Sequence, residues 1–166
     1  MDDILGSGLL QGETMTTTLP ARCELAQWRP VSNFGYIPPR TLDAQAFVVH
    51  SAEGNGDPPP RFSDGASASA HFWNKKPGTL SQLVELTQCA WANGIGYNAD
   101  GSPGALARTD RGAGAPAIVQ KWYAARANPN WYTVSMEHEG FAGEALTTAQ
   151  LTNTINVARW LETHGL

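Results

Sequence analysis

The sequence predicts one loop-rich domain that mixes short β-strands with helices, and three observations carry that reading. Seventeen glycines and eleven prolines in 166 residues are too many for a helical bundle. Short apolar runs, each closed by a polar or Gly/Pro cluster, read as strands. Two further segments repeat apolar residues at helical spacing. An apolar fraction of 42% is enough to bury a core.

Taken in order, residues 1–20 read as a flexible N-terminal arm, with Gly6, Gly8, Gly12 and a threonine run. Met15 is a second possible start, which would make residues 1–14 a dispensable leader. The folded domain is expected to span 21–166, with its core starting near Cys23. Gln45 to His50 is a short apolar run, which reads as a buried central strand. Gly54 to Pro60 is a loop, because the prolines forbid a continuing ladder. Residues 69–75 and 79–85 read as two strands joined by a turn at Pro77-Gly78. The alternation in the second is impure, since Leu80, Gln82, Val84 and Leu86 interleave with Ser81, Leu83 and Glu85.

Six glycines fall between 94 and 114, which reads as a long surface loop of the kind that carries binding function. Residues 115–126 read as a helix with Ile118, Trp122 and Ala125 on one face, stopped by Asn128-Pro129-Asn130. Trp131 to Glu139 reads as a strand. Tyr132, Val134 and Met136 take one side, and Thr133, Ser135 and Glu137 the other. The last helix is expected over 148–164. Thr147 with Gln150 makes a capping box, and Leu151, Ile155, Ala158 and Leu161 form the apolar stripe. Gly165 is the natural stop.

Eleven basic against fifteen acidic residues leave a formal charge of −4, so a nucleic-acid groove is not indicated. No apolar run is long enough to span a membrane. The start is acidic and turns polar after Leu10, so no secretory signal is visible. Cys23 and Cys89 read as reduced, partly buried thiols.

Four residues are candidates for chemistry. His50 ends its strand and points into whatever cleft the strand ends define; it is open to a structural and to a metal-binding reading. Glu137 is a carboxylate on an otherwise apolar strand. It must be paired, solvated or functional, so a hydrogen-bonded structural role and a general base both stand. His71, beside Phe72 and Trp73, reads as a packed core histidine. Trp91 edges the long loop, where it either stacks a sugar or peptide or plugs the core. Six tryptophans favour a carbohydrate or cell-wall surface. HExxH, Walker, GxSxG and strand-borne GxGxxG patterns are absent.

Seven segments in order carry a resemblance. They are Trp28 to Tyr36, Phe47 to Gly54, Ser69-Ala70-His71-Phe72, Gln82-Leu83-Val84, Ala90 to Gly94, Asn128 to Gly140, and Leu146 to Gln150. Together they resemble the zinc-dependent N-acetylmuramoyl-L-alanine amidases, which include phage endolysins and are related to peptidoglycan-recognition proteins. The resemblance covers about residues 23–166. It implies an α/β fold with a central mixed β-sheet flanked by helices. It implies cleavage of the amide between N-acetylmuramic acid and L-alanine in bacterial peptidoglycan, in a phage-type lysin made in the cytoplasm and acting on the wall. It also implies zinc held by two His and one Cys or Asp.

His50 matches the first ligand and Glu137 the general base, while His71 matches a structural position. Trp91 is expected to touch substrate. The other two ligands belong to a segment after the last helix, so the zinc site is expected to be incomplete and hydrolysis poor. His164 is not the missing ligand. Ala92 replaces a histidine of many relatives, and Ala70 stands where some have a catalytic tyrosine. The alternative reading is a non-catalytic peptidoglycan-binding module.

Overall fold

The computed structural model describes residues 19–34, 44–58, 62, 68–93, 117–125 and 127–166. Five strands form one mixed sheet: β1 (Gln27–Trp28), β2 (Ala46–Ser51), β3 (Phe72–Asn74), β4 (Leu80–Gln82) and β5 (Thr133–His138). Their order is β1-β4-β3-β5-β2. β1 runs parallel to β4, β3 and β4 form an antiparallel hairpin, and β3, β5 and β2 are mutually parallel neighbours. Helix α1 (Ala117–Ala124) precedes a 3-10 turn (Pro129–Trp131) that leads into β5, and α2 (Thr148–Thr163) follows it. This is the expected α/β arrangement of a mixed sheet with helices.

Several expectations are corrected in detail. β2 is the edge strand of the described sheet and only half-buried, not a buried central strand. An apolar run shows that a strand carries few polar groups; it fixes neither how far its faces are covered nor how many strands pair with it. The hairpin strands are three residues each, shorter than the seven expected, and His71 lies just before β3. Leu19, assigned by sequence to the N-terminal arm, is buried in the core. The 94–114 loop lies outside the described residues.

One sheet face packs on α2. Phe72, Leu80, Val134 and Met136 from the strands meet Val157, Trp160 and Leu161 from the helix. The opposite face carries a second apolar cluster built from Ala52, Phe62, Ala70, Trp73, Leu83, Val84 and Ala90. Both faces are therefore covered at the hairpin, and this explains its impure alternation: Leu80 faces one cluster and Leu83 the other. The hairpin turns at Gly78, whose φ of 97° is left-handed. A Cβ at Gly78 would also stand 3.0 Å from the Ala149 Cβ.

α2 begins as the sequence predicts. The Thr147 side chain accepts from Gln150 N–H and the Gln150 side chain accepts from Thr147 N–H, both at 3.1 Å. Its buried face meets the predicted stripe only in part, at Leu161. Gln150, Val157, Trp160 and Leu161 are buried, while Leu151 and Ile155 are 50% and 41% exposed. The helix is turned because the sheet offers it polar partners. Asn74 Nδ2 donates to Gln150 O, and Asn153 Nδ2 donates to Asn74 Oδ1. Among the described residues no helix is long and apolar enough to cross a membrane.

Candidate functional site

Register places the candidates. His50 pairs with Glu137 across β2 and β5, and Glu137 pairs with Trp73 across β5 and β3. Residues in register share a sheet face, so imidazole, carboxylate and indole form one row. The row lies on the face away from α2, because the alternate residues Val134 and Met136 join the helix-side core. His50 and Glu137 are both half-buried. His50 and Glu137 thus stand side by side on one sheet face.

The chain leaves β2 through Glu53, a non-glycine residue in left-handed conformation (φ 52°). It is held there by an isolated antiparallel bridge between Gly54 and Gly140. The loop then crosses the sheet face, where Gly56 O accepts from Trp73 Nε1 at 3.1 Å. Glu139 pins the same loop: its carboxylate accepts from Gly56 N–H at 2.5 Å and Lys76 N–H at 2.8 Å. Desolvation pushes the Glu139 carboxyl upward, but these two amides, with Lys75 and Lys76 nearby, hold it below the usual carboxylate range.

His50 Nε2 stands 2.5 Å from Asn93 Oδ1. Asn93 Nδ2 reaches Thr133 Oγ1 at 2.7 Å, and its backbone N–H donates to the buried Asn130 Oδ1 at 2.7 Å. Ala92 N–H donates to the same Asn130 oxygen. Trp91 is half-buried and exchanges bonds with Ser69: its N–H donates to Ser69 Oγ and its carbonyl accepts from Ser69 N–H.

The remaining histidines are hydrogen-bonded elsewhere in the fold. His71 is buried, its Nδ1 accepts from Ser135 N–H, and its Nε2 therefore donates to Gln88 O, each at 3.1 Å. His138 faces α2, with Nε2 2.8 Å from Thr154 Oγ1, and so points away from Glu137 as strand alternation requires. Burial pushes its pKa down. His164 stacks on Trp160 at 4.0 Å, and its Nδ1 lies 2.7 Å from Trp160 O. Burial lifts the Cys23 thiol to about 11, so it is inert as a nucleophile near neutral pH.

Among the described residues no three His, Cys, Asp or Glu side chains come together as a set that could hold a metal. A catalytic zinc needs three protein ligands and an open position. Of such a set the described residues supply His50 alone, with Glu137 beside it, so they do not fit a tightly held zinc.

A cavity of about 380 Å³ opens along the β1 and β4 side, lined by Arg29, Pro30, Val31, Asp57, Pro58 and Leu83. Lys75 Nζ and Arg29 Nη1 each lie 3.1 Å from Asp57 Oδ1, and these two cations hold the Asp57 carboxyl below its ordinary range.

Sequence reasoning singled out His50 and Glu137 and read His71 as a packed core histidine. It passed over Asn93, Asn130, Thr133 and Glu139. Asn93 lies inside one of the seven matched segments, and Glu139 shares the alternation of Glu137, so both left a faint signal. Asn130 left none, because a buried Asn that caps two loop amides is indistinguishable in sequence from any turn residue.

A sequence profile of the family described as N-acetylmuramoyl-L-alanine amidase matches residues 40–166. Among solved structures the chain is similar to one described as "crystal structure of Se-Met AmpD derivative", with a TM-score of 0.57 and 19% identity. The match covers 87% of this chain and 77% of that one. At that identity the likeness speaks for the fold. A comparison with curated proteins gives no match.

Proposed function

Because this chain belongs to the N-acetylmuramoyl-L-alanine amidase family, we propose that it acts on the amide joining N-acetylmuramic acid to L-alanine in bacterial peptidoglycan. The observation that carries the reading is the register of His50 with Glu137 on the sheet face away from α2. A peptide laid across that face meets a carboxylate and an imidazole side by side. Glu137 is the residue assigned to take a proton from the attacking water and return it to the leaving L-alanine nitrogen. Trp91 is assigned to substrate contact, at the start of the segment that leads to Asn93.

Lysis of the phage-endolysin kind is the setting this activity fits. A second reading is a peptidoglycan-binding module without hydrolysis, favoured by the lack of a three-ligand metal set among the described residues.

Purified cell walls separate the two. Digestion is followed by mass spectrometry for stem peptides with a new L-alanine amino terminus, with and without added zinc. The amidase reading expects such peptides from the wild type. It expects a loss of about 10²–10⁴-fold with Glu137→Gln, and loss with His50→Ala. Sedimentation of the protein with walls, without any new amino terminus, would give the binding reading instead.

A further inference from the structure

We propose that Asn93 is the positioning residue of this site: it fixes His50 as the tautomer protonated on Nε2 and leaves Nδ1 as the ring nitrogen with the lone pair. One chain of hydrogen bonds leads to His50, and its polarity is set at its far end. Pro129 O can only accept, and Thr133 Oγ1 donates its single hydrogen to it at 2.9 Å. Thr133 Oγ1 is then an acceptor toward Asn93, so the Asn93 atom 2.7 Å away must be the NH2 group. The other end of the same amide is an oxygen, which has no hydrogen to give. It faces His50 Nε2, so that nitrogen must carry the proton.

The opposite arrangement has a definite cost. Turning the amide over would present its oxygen to Thr133. The Thr133 hydroxyl, which is buried, would then leave Pro129 O, and that oxygen would keep only the Tyr132 N–H at 2.9 Å in place of two donors. Asn93 is also fixed from its own backbone, by the bond from its N–H to Asn130 Oδ1, and Asn130 N–H is itself taken by Asn128 Oδ1. The 3-10 turn ahead of β5 and the start of β5 thus set the protonation pattern of a histidine on β2. A histidine used as a partner of Glu137 needs one nitrogen committed so that the other is available. Asn93 supplies that commitment with an uncharged acceptor.

The proposal concerns the site assigned above and rests on that assignment only for its kinetic consequence. The test is nitrogen-15 NMR of the full chain labelled in its imidazoles, without substrate, at alkaline pH. His50 is assigned with a His50→Gln variant. The wild type is expected to show His50 in one pattern, with Nε2 protonated. Asn93→Asp, which keeps an acceptor, preserves it. Asn93→Ala and Thr133→Val are expected to give a mixture of tautomers, and Thr133→Ser to restore the single form. Should Asn93→Ala fail to fold, the Thr133 pair carries the test.

An unchanged His50 pattern in Asn93→Ala or in Thr133→Val overturns the proposal. So does a wild type protonated on Nδ1. A purely structural asparagine would lower stability without moving the tautomer. Where walls are hydrolysed, Asn93→Ala is expected to lose about 10–100-fold in rate. A held tautomer without hydrolysis removes the amidase reading and leaves this one standing.

Discussion

Glu137 and Glu139 sit two positions apart on one chain and do different work. Glu137 stands in register with His50 and is half-buried. Glu139 spends both oxygens on the amides of Gly56 and Lys76, which belong to two different loops. Removing it leaves those donors without their partner, so Glu139→Ala is expected to cost about 1–3 kcal/mol of stability, measured by denaturant unfolding.

The pH dependence follows from the sign of its shift. The folded-state pKa of Glu139 lies below its ordinary value. Its contribution is therefore complete above the ordinary carboxylate range and is lost as pH falls through the folded value. Wild-type stability should decline on acidification below about pH 4.5, and the decline should be shallower in Glu139→Ala. An identical acid limb in both proteins would remove Glu139 from the account.

At the scale of elements, α2 separates what a sequence declares from what the fold decides. Its start was legible because a capping box is a local event, settled by Thr147 and Gln150 alone. Its buried face was legible only at Leu161. Leu151 and Ile155 outrank Gln150 and Asn153 in hydrophobicity, yet Gln150 is buried and they are exposed. The reason lies on another element: Asn74 O accepts from Gln150 Nε2, and Asn74 Oδ1 accepts from Asn153 Nδ2. Leu161→Ala is therefore expected to cost about 2–5 kcal/mol. Leu151→Gln should stay within about 0.5 kcal/mol of wild type. Equal losses in thermal unfolding would restore the stripe read from the sequence.

The same division holds at the candidate site. His50 and Glu137 were legible because each interrupts an apolar strand pattern. Asn93 was not, because its meaning depends on Thr133 and Asn130, which only the folded chain brings near. β2 shows the limit from the other direction: its composition fits a buried strand, and its place at the edge depends on which strands pair with it.

Across the whole molecule, two apolar clusters sandwich the sheet, and the residues assigned to chemistry lie on the face away from α2. The pairing that creates this row is non-local, since parallel strands need a long connection. Proteins dominated by such contacts fold more slowly than helical bundles, in about milliseconds to seconds. Stopped-flow refolding monitored by tryptophan fluorescence is expected to fall in that range. Microsecond refolding would show that the sheet is not the rate-setting element.

That parallel pairing also has a consequence during synthesis. His50 and Glu137 are separated by 137 − 50 = 87 positions. A ribosome adding about 5–20 residues per second needs roughly 4–17 seconds to span them. For that interval the apolar Ala46–Val49 segment is outside the sheet, because its described partner β5 has yet to be made. The hairpin of β3 and β4 can close meanwhile, since its strands are neighbours in sequence. The nascent chain thus carries a sticky, unclaimed segment through much of translation. Its yield in a cell should depend on whether a chaperone shelters that segment until β5 arrives.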